Sequence, residues 1–218
     1  MFVNIKMVIN IIMNDFYYRL NILENPVKDR DAVINMYKSA KGSYSVESAS
    51  ILKDEVIDLF SDIGLTVDHI IIFTLFNEYD KLDDKRLIHS DLTWDEELSK
   101  WRKTVCTVNW ELTPICGDFK WFDMNGAKEV WPSNDTADKL PLRKLAGLHY
   151  GSFRHIGLPD GARVIHEVST NYPLLLNTDI PHCVSFTDKG RMPLSVRFTT
   201  KWKSWEEVIP VFRKYLFL

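Results

Sequence analysis

The sequence predicts a mainly β fold with flanking helices, and three observations carry that prediction. Residues 190–198 alternate with period two: Met192, Leu194, Val196 and Phe198 share one face, while Arg191, Pro193, Ser195 and Arg197 share the other. Residues 163–169 alternate in the same way, with Val164, His166 and Val168 set against Ile165, Glu167 and Ser169. Apolar residues at sustained helical spacing instead fall toward the two ends of the chain, so strands dominate between them.

Phe16 to Leu23 is aromatic and β-branched enough for a strand, which Asn25-Pro26 stops. Residues 29–40 suit a short helix with Val33, Met36 and Tyr37 on one face. A longer helix is expected from Ser45 or Ser48 to Ile63, because Ile51, Val56, Leu59, Phe60 and Ile63 recur at helical spacing and Gly64 supplies a stop. Residues 67–76 form a strongly apolar strand whose His69 reads as structural. Thr93-Trp94-Asp95-Glu96 fits a capping box, and Trp94, Leu98 and Trp101 at i, i+4 and i+7 predict a short amphipathic helix. Residues 104–112 read as a strand that runs out at Pro114.

The following residues, 113–163, are rich in Trp, Gly, Pro and Asp. A segment of that length is expected to be folded in part or functional. Within it Trp121 and Trp131 are candidates for a substrate-pocket wall, and His149 and His155 sit in a Gly-containing loop segment. Ser204-Trp205-Glu206-Glu207, a second capping box, opens a helix through Val208, Ile209, Phe212 and Tyr215, with Pro210 perturbing its first turns. A single domain over 1–218 accommodates this order: N-terminal helices and supporting strands over 1–80, a core over 85–200 carrying the 113–163 insert, and a helical tail over 201–218.

With 45% hydrophobic residues the chain can bury a substantial core, and its net charge of −3 comes with Lys and Arg scattered rather than striped. That distribution disfavours nucleic-acid partners. Three cysteines, Cys106, Cys116 and Cys183, are odd in number and lack Cys-x-x-Cys spacing, which fits a reducing, cytoplasmic setting better than a disulfide framework. The apolar start over 1–13 is interrupted by Asn4, Lys6 and Asn10 and lacks a small-residue cleavage site. It reads as a buried strand or dispensable leader rather than a signal peptide or membrane span.

Chemistry concentrates in two stretches. In an extended His89-Ser90-Asp91, side chains two apart project to the same face, so one strand can present an imidazole and a carboxylate together. His182 follows an apolar run and turn formers and precedes the alternating strand, so it can bring a second imidazole from far along the chain. Two histidines and one carboxylate occupy one side of an octahedral metal and leave positions open, the ligand set of non-haem Fe(II) chemistry. An arginine on the strand just after His182 can pair with a carboxylate through two hydrogen bonds, and Arg191 is the better candidate.

Over residues 85–200 the chain resembles the Fe(II)/2-oxoglutarate-dependent dioxygenases. The resemblance rests on His89-x-Asp91, on Leu176-Asn177-Thr178 followed by His182-x-Val184, on Arg191 with Leu194-Ser195-Val196-Arg197-Phe198, and on the strand around Val108-Asn109-Trp110. It implies a double-stranded β-helix (jelly-roll, cupin-like) core and hydroxylation with Fe(II), O2 and the cosubstrate 2-oxoglutarate. It makes His89, Asp91 and His182 iron ligands and Arg191 the partner of the distal carboxylate, with Asn109 as a pocket residue. Many members carry Ser two residues after the arginine, where this chain has Pro193; Ser195, on the same face, is the candidate substitute. Arg197 shares that face, at a distance from His182 that other branches use for the binding arginine, and six residues of strand span about 20 Å, so only one arginine can serve. Asp91 argues against the halogenating branch. The expected substrate is a small molecule or a peptidyl residue, while oligomeric state is open. A cupin-like metal enzyme without a 2-oxoacid and a non-catalytic β-sandwich binding sugars or peptides are the alternatives.

Overall fold

The computed structural model describes residues 14–38, 44–73, 88–95, 97–124, 150–154, 162–184 and 190–217. Residues 1–13, Trp131, His149 and His155 lie outside these. Twelve strands are found among them: β1 (Tyr17–Arg19), β2 (Tyr44–Glu47), β3 (Val67–Phe73), β4 (His89–Asp95), β5 (Lys100–Lys103), β6 (Cys106–Glu111), β7 (Asp118–Asp123), β8 (Tyr150–Arg154), β9 (Arg163–Ser169), β10 (Leu174–Asn177), β11 (His182–Val184) and β12 (Pro193–Phe198). Three α-helices accompany them: α1 (Arg30–Lys38), α2 (Asp54–Asp62) and α3 (Trp205–Phe212).

The strands form two antiparallel sheets. The first runs β1-β10-β6-β12-β3-β2 and the second β5-β4-β11-β7-β9, with β8 pairing β4. From β3 onward the chain crosses repeatedly between sheets: β3 to β4, β5 to β6, β6 to β7, β9 to β10, β10 to β11 and β11 to β12.

Alternation along each strand divides two environments. On the first sheet, Ile70, Ile72, Val108, Trp110, Leu194 and Val196 join Val33, Val56, Phe60, Val208 and Phe212 in one buried cluster, so the helices cover that face. The opposite face, carrying Thr107, Asn109, Glu111, Ser195 and Arg197, looks toward the second sheet by the period-two rule. Leu174 and Leu176 on this inner face meet Phe119, Trp121 and Val168 of the second sheet. The inter-sheet space is therefore apolar toward β9 and β10 and polar toward β6 and β12.

Trp110 pins the helical layer to the sheet. Its indole N–H donates to the Leu23 carbonyl oxygen at 2.8 Å, and its ring meets Phe60 edge-on with centroids 6.3 Å apart. Only 2% of the residue is exposed. Trp110→Ala is therefore expected to lower stability by about 3–5 kcal/mol, from lost burial, an unfilled cavity and a lost hydrogen bond, as read by urea unfolding.

Two expected helices are corrected. Residues 44–47 form β2, an edge strand laddered against β3 from Tyr44↔Phe73 to Glu47↔Ile70. A 3-10 turn follows at Ala49–Ile51 before α2 begins at Asp54. Pairing with β3 overrides the helical spacing there, and Ser48 accepts a hydrogen bond from the Ser50 N–H and starts the turn instead. Thr93 to Asp95, read as a helix start, continue β4 into a hairpin with β5, in register from Leu92↔Lys103 to Asp95↔Lys100. Ser99 takes a left-handed φ of 45° in the turn, Asp95 Oδ1 accepts from the Leu98 N–H, and Leu98 is 60% exposed rather than on an apolar helix face.

Other expectations hold. α1 occupies most of residues 29–40, with Val33 and Tyr37 buried and Asp29 Oδ1 accepting from the Ala32 N–H at its start, but Met36, expected on the same face, is exposed. The strands over 67–73, 106–111, 163–169 and 193–198 and the C-terminal helix lie where the pattern put them, though Pro210 falls in the last turn of α3 rather than in its first. Among the described residues no helix is long and apolar enough to cross a membrane.

Candidate metal centre

His89 opens β4, and Asp91 follows on the same face of the strand. β11 lies beside β4, and its first residue, His182, is the Cα partner of His89, so strand pairing brings together residues far apart in sequence. One ligand atom from each of His89, Asp91 and His182 falls within 4.8 Å of the others. Asp91 Oδ1 is 3.6 Å from His89 Nε2 and 3.9 Å from His182 Nε2. Donors on adjacent corners of an octahedron with bonds of about 2.1 Å stand about 3 Å apart, so modest side-chain rotation closes the set on an ion.

The surroundings prepare each donor. His182 Nδ1 is 2.8 Å from the Ile180 carbonyl oxygen, which can only accept, so Nδ1 carries the proton and Nε2 turns its lone pair toward Asp91. Burial, reinforced by the neighbouring His89, pushes the His182 pKa down to about 3. The ring is thus the neutral imidazole that a metal requires. Phe119 stacks on it with centroids 4.8 Å apart and planes at 22°, fixing its tilt. Asp91 is buried, and its two oxygens divide: Oδ1 faces the histidines while Oδ2 lies 2.6 Å from Arg197 Nη1. The backbone of Asp91 is tied on both sides, its N–H donating to the Thr178 oxygen and its oxygen accepting from the Thr104 N–H.

The polar strip on the first sheet holds the other expected residues. Ser195 is the Cα partner of Asn109, and its buried hydroxyl has no hydrogen-bond partner among the described residues. Asn109 is half-buried and accepts from the Thr107 hydroxyl at 3.1 Å. Arg191 is buried at the far end of the strip from Arg197. Its guanidinium pairs with Glu111, with Nε donating to Glu111 Oε1 at 2.7 Å, and Nη2 also donates to the Thr170 hydroxyl at 3.0 Å. Gly117 closes this corner: a Cβ there would lie 2.7 Å from Arg191 Nη1, so a side chain at this position would displace the guanidinium.

Trp121 is completely buried, and its indole N–H donates to the Asn177 oxygen at 2.7 Å. It packs the apolar end of the inter-sheet space and offers no open wall. His166 stacks on Phe16, with centroids 4.6 Å apart, and His69 Nδ1 lies 2.8 Å from Asp68 Oδ2, so both stand apart from the triad. Sequence reading passed over Glu111, Phe119 and Thr170. Glu111 shares the i, i+2, i+4 face of β6 with Thr107 and Asn109, a signal that places it inside without revealing its partner.

No family model, curated protein or solved structure matches this chain.

Proposed function

We propose that this chain is an Fe(II)- and 2-oxoglutarate-dependent oxygenase built on a double-stranded β-helix. The observation that carries the reading is the convergence of two imidazoles and one carboxylate between the sheets, beside a polar strip bearing Arg191, Ser195 and Asn109. Support for the architecture comes from the strand order. The sequence of crossings places β3, β12, β6 and β10 side by side in one sheet and β4, β11, β7 and β9 in the other, as expected of a jelly roll.

The donor set and its surroundings fit the group. His89, Asp91 and His182 would hold the iron, with Arg197 keeping one Asp91 oxygen turned away from it. Arg191 would receive the distal carboxylate of 2-oxoglutarate, and the Ser195 hydroxyl, without a hydrogen-bond partner among the described residues, and the Asn109 amide would line its path. When bound, the iron and cosubstrate supply O2 activation and oxidative decarboxylation to succinate and CO2, with hydroxylation of a small molecule or peptidyl residue as the outcome. The protein orients that substrate and excludes water, for which the apolar wall of Phe119, Leu174 and Leu176 is suited. Cys106, Cys116 and Cys183 are in no disulfide, which accords with a reducing, cytoplasmic setting.

A cupin-like metal enzyme using no 2-oxoacid is the second reading, favoured by one observation: Arg191 already has a carboxylate partner in Glu111.

Anaerobic titration with Fe(II) and then 2-oxoglutarate separates the two, because only the first reading yields a visible charge-transfer band that needs both additions. In Arg191→Ala the dissociation constant for 2-oxoglutarate should rise by about 10- to 150-fold, the worth of a charged hydrogen-bonding partner, with Fe(II) affinity unchanged. Equal 2-oxoglutarate binding in this variant and the wild type would remove Arg191 from the site.

A further inference from the structure

The Arg191 corner holds an unusual carboxylate. Glu111 Oε1 gathers every hydrogen bond given to this side chain, from Arg191 Nε and Nη2 and from the Thr170 hydroxyl. Its other oxygen, Oε2, is buried with no hydrogen-bond partner among the described residues. A buried anionic oxygen without a donor is costly, whereas a protonated one becomes a donor for which any incoming acceptor is a gain.

We propose that Glu111 is the residue that sets cosubstrate selectivity at this site: a distal carboxylate arriving at Arg191 shares the guanidinium with Glu111, and Glu111 takes up one proton as it binds. The inference rests on the oxygenase reading above. Two carboxylates cannot both stay ionised against one arginine in a buried corner, because like charges at close range disfavour the second ionisation. One proton enters from solvent to Glu111 Oε2, the carboxyl group donates it as a hydrogen bond to the arriving carboxylate, and the net charge of the corner is unchanged. No covalent bond forms or breaks beyond that protonation.

The local groups agree with this direction. Burial already holds the Glu111 pKa above the ordinary carboxylate value, against the lowering pull of Arg191 and of the Arg191 and Thr170 hydrogen bonds. Among the described residues, the titratable and charged groups facing Glu111 are Arg191, just before β12, and the Cys116 thiol, just before β7, which burial and the Glu111 charge push up. Thr170, after β9, adds only a neutral hydroxyl. Arg30 reaches the next residue, its Nε donating to the Leu112 carbonyl oxygen. Among the described residues, Arg191 is the one cation that acts on Glu111.

The sign follows from linkage. Glu111 binds more protons in the complex than in the free protein, so affinity is greatest at low pH and falls as pH rises through the Glu111 pKa of the free protein, by up to about tenfold per pH unit. A 2-oxoacid ending in a methyl group, such as 2-oxobutyrate, brings no second charge and escapes this dependence.

The test uses the full chain with Fe(II) under anaerobic conditions, following the charge-transfer band from pH 6 to 8.5 with 2-oxoglutarate and with 2-oxobutyrate. Calorimetry in two buffers of different ionisation enthalpy counts protons. In the wild type, 2-oxoglutarate should bind with uptake of close to one proton and lose affinity with pH, while 2-oxobutyrate does neither. In Glu111→Gln, 2-oxoglutarate should bind about tenfold or more tighter at pH 8 and lose the pH slope. A band with no proton uptake, or an equal slope in Glu111→Gln, overturns this inference alone. Absence of a band with either 2-oxoacid in both proteins overturns the oxygenase reading and this inference with it. The wild-type proton count needs no variant, so the test survives a Glu111→Gln chain that fails to fold.

Discussion

In His182→Ala, Fe(II) affinity is expected to fall by more than about 100-fold, and no charge-transfer band should appear on adding 2-oxoglutarate. Loss of an outer partner of a metal ligand already costs roughly 10- to 100-fold, and loss of the ligand itself exceeds that. His182 is the donor whose preparation is most complete. Its tautomer is set by the Ile180 carbonyl, its neutrality by burial and its tilt by Phe119. Removing it leaves His89 and Asp91, two donors two residues apart on one strand, without the third donor that β11 supplies. Apo His182→Ala should remain folded, because a neutral ring is lost and the Asp91 pair with Arg197 persists. Equilibrium dialysis of Fe(II) under anaerobic conditions, with circular dichroism as the folding control, makes the comparison. Wild-type affinity in this variant would mean that His89 and Asp91 bind metal elsewhere or that the triad is not a metal site.

The His89 and Asp91 half of the cluster was legible because its geometry is local, whereas His182 reaches it only by the pairing of β11 with β4. A period of two puts His89 and Asp91 on one face whatever else the fold does, and alternation over 190–198 assigns Arg191, Ser195 and Arg197 to one side of β12. Pairing between distant strands was not legible. Nothing near Arg191 in the chain announces Glu111, 80 residues earlier, and nothing near Arg197 announces its pairing with Asp91.

The same contrast explains the two corrected helices. The capping-box pattern at Thr93 is a true local preference, but a ladder of four residue pairs with β5 satisfies more backbone groups than one helical turn would. At Ser45 the spacing of Ile51, Val56 and Phe60 was correctly helical, yet only its second half forms α2, because β3 requires an edge partner before the helix begins. Trp121 shows a limit of another kind. An aromatic residue in a Trp-rich segment fits a pocket wall or a core equally well, and only the Asn177 carbonyl, reached across the inter-sheet space, assigns it to the core.

Arg197→Ala is expected to destabilise the metal-free protein by about 3–5 kcal/mol, the cost of leaving one member of a buried ion pair without its counter-charge. Arg197 and Asp91 are both buried, and the guanidinium stands against the one Asp91 oxygen that faces away from the histidines. Asp91 without Arg197 carries its charge into a low-dielectric space beside two imidazoles, one of which is held neutral. A divalent cation at the triad supplies positive charge to the same carboxylate from its other side. The loss should therefore shrink when the protein is loaded with metal, and Arg197→Ala should gain more stability from metal than the wild type does. Urea unfolding of the metal-free and Zn(II)-loaded forms of both proteins reads this difference directly, Zn(II) being redox-inert. Adding Asp91→Asn to Arg197→Ala removes the stranded charge, so the double variant should recover part of the loss in the metal-free state. If Arg197→Ala is as stable as the wild type without metal, the pair contributes nothing to the fold; if its loss is the same with and without metal, the arginine and the cation act on different oxygens of Asp91 with no coupling between them.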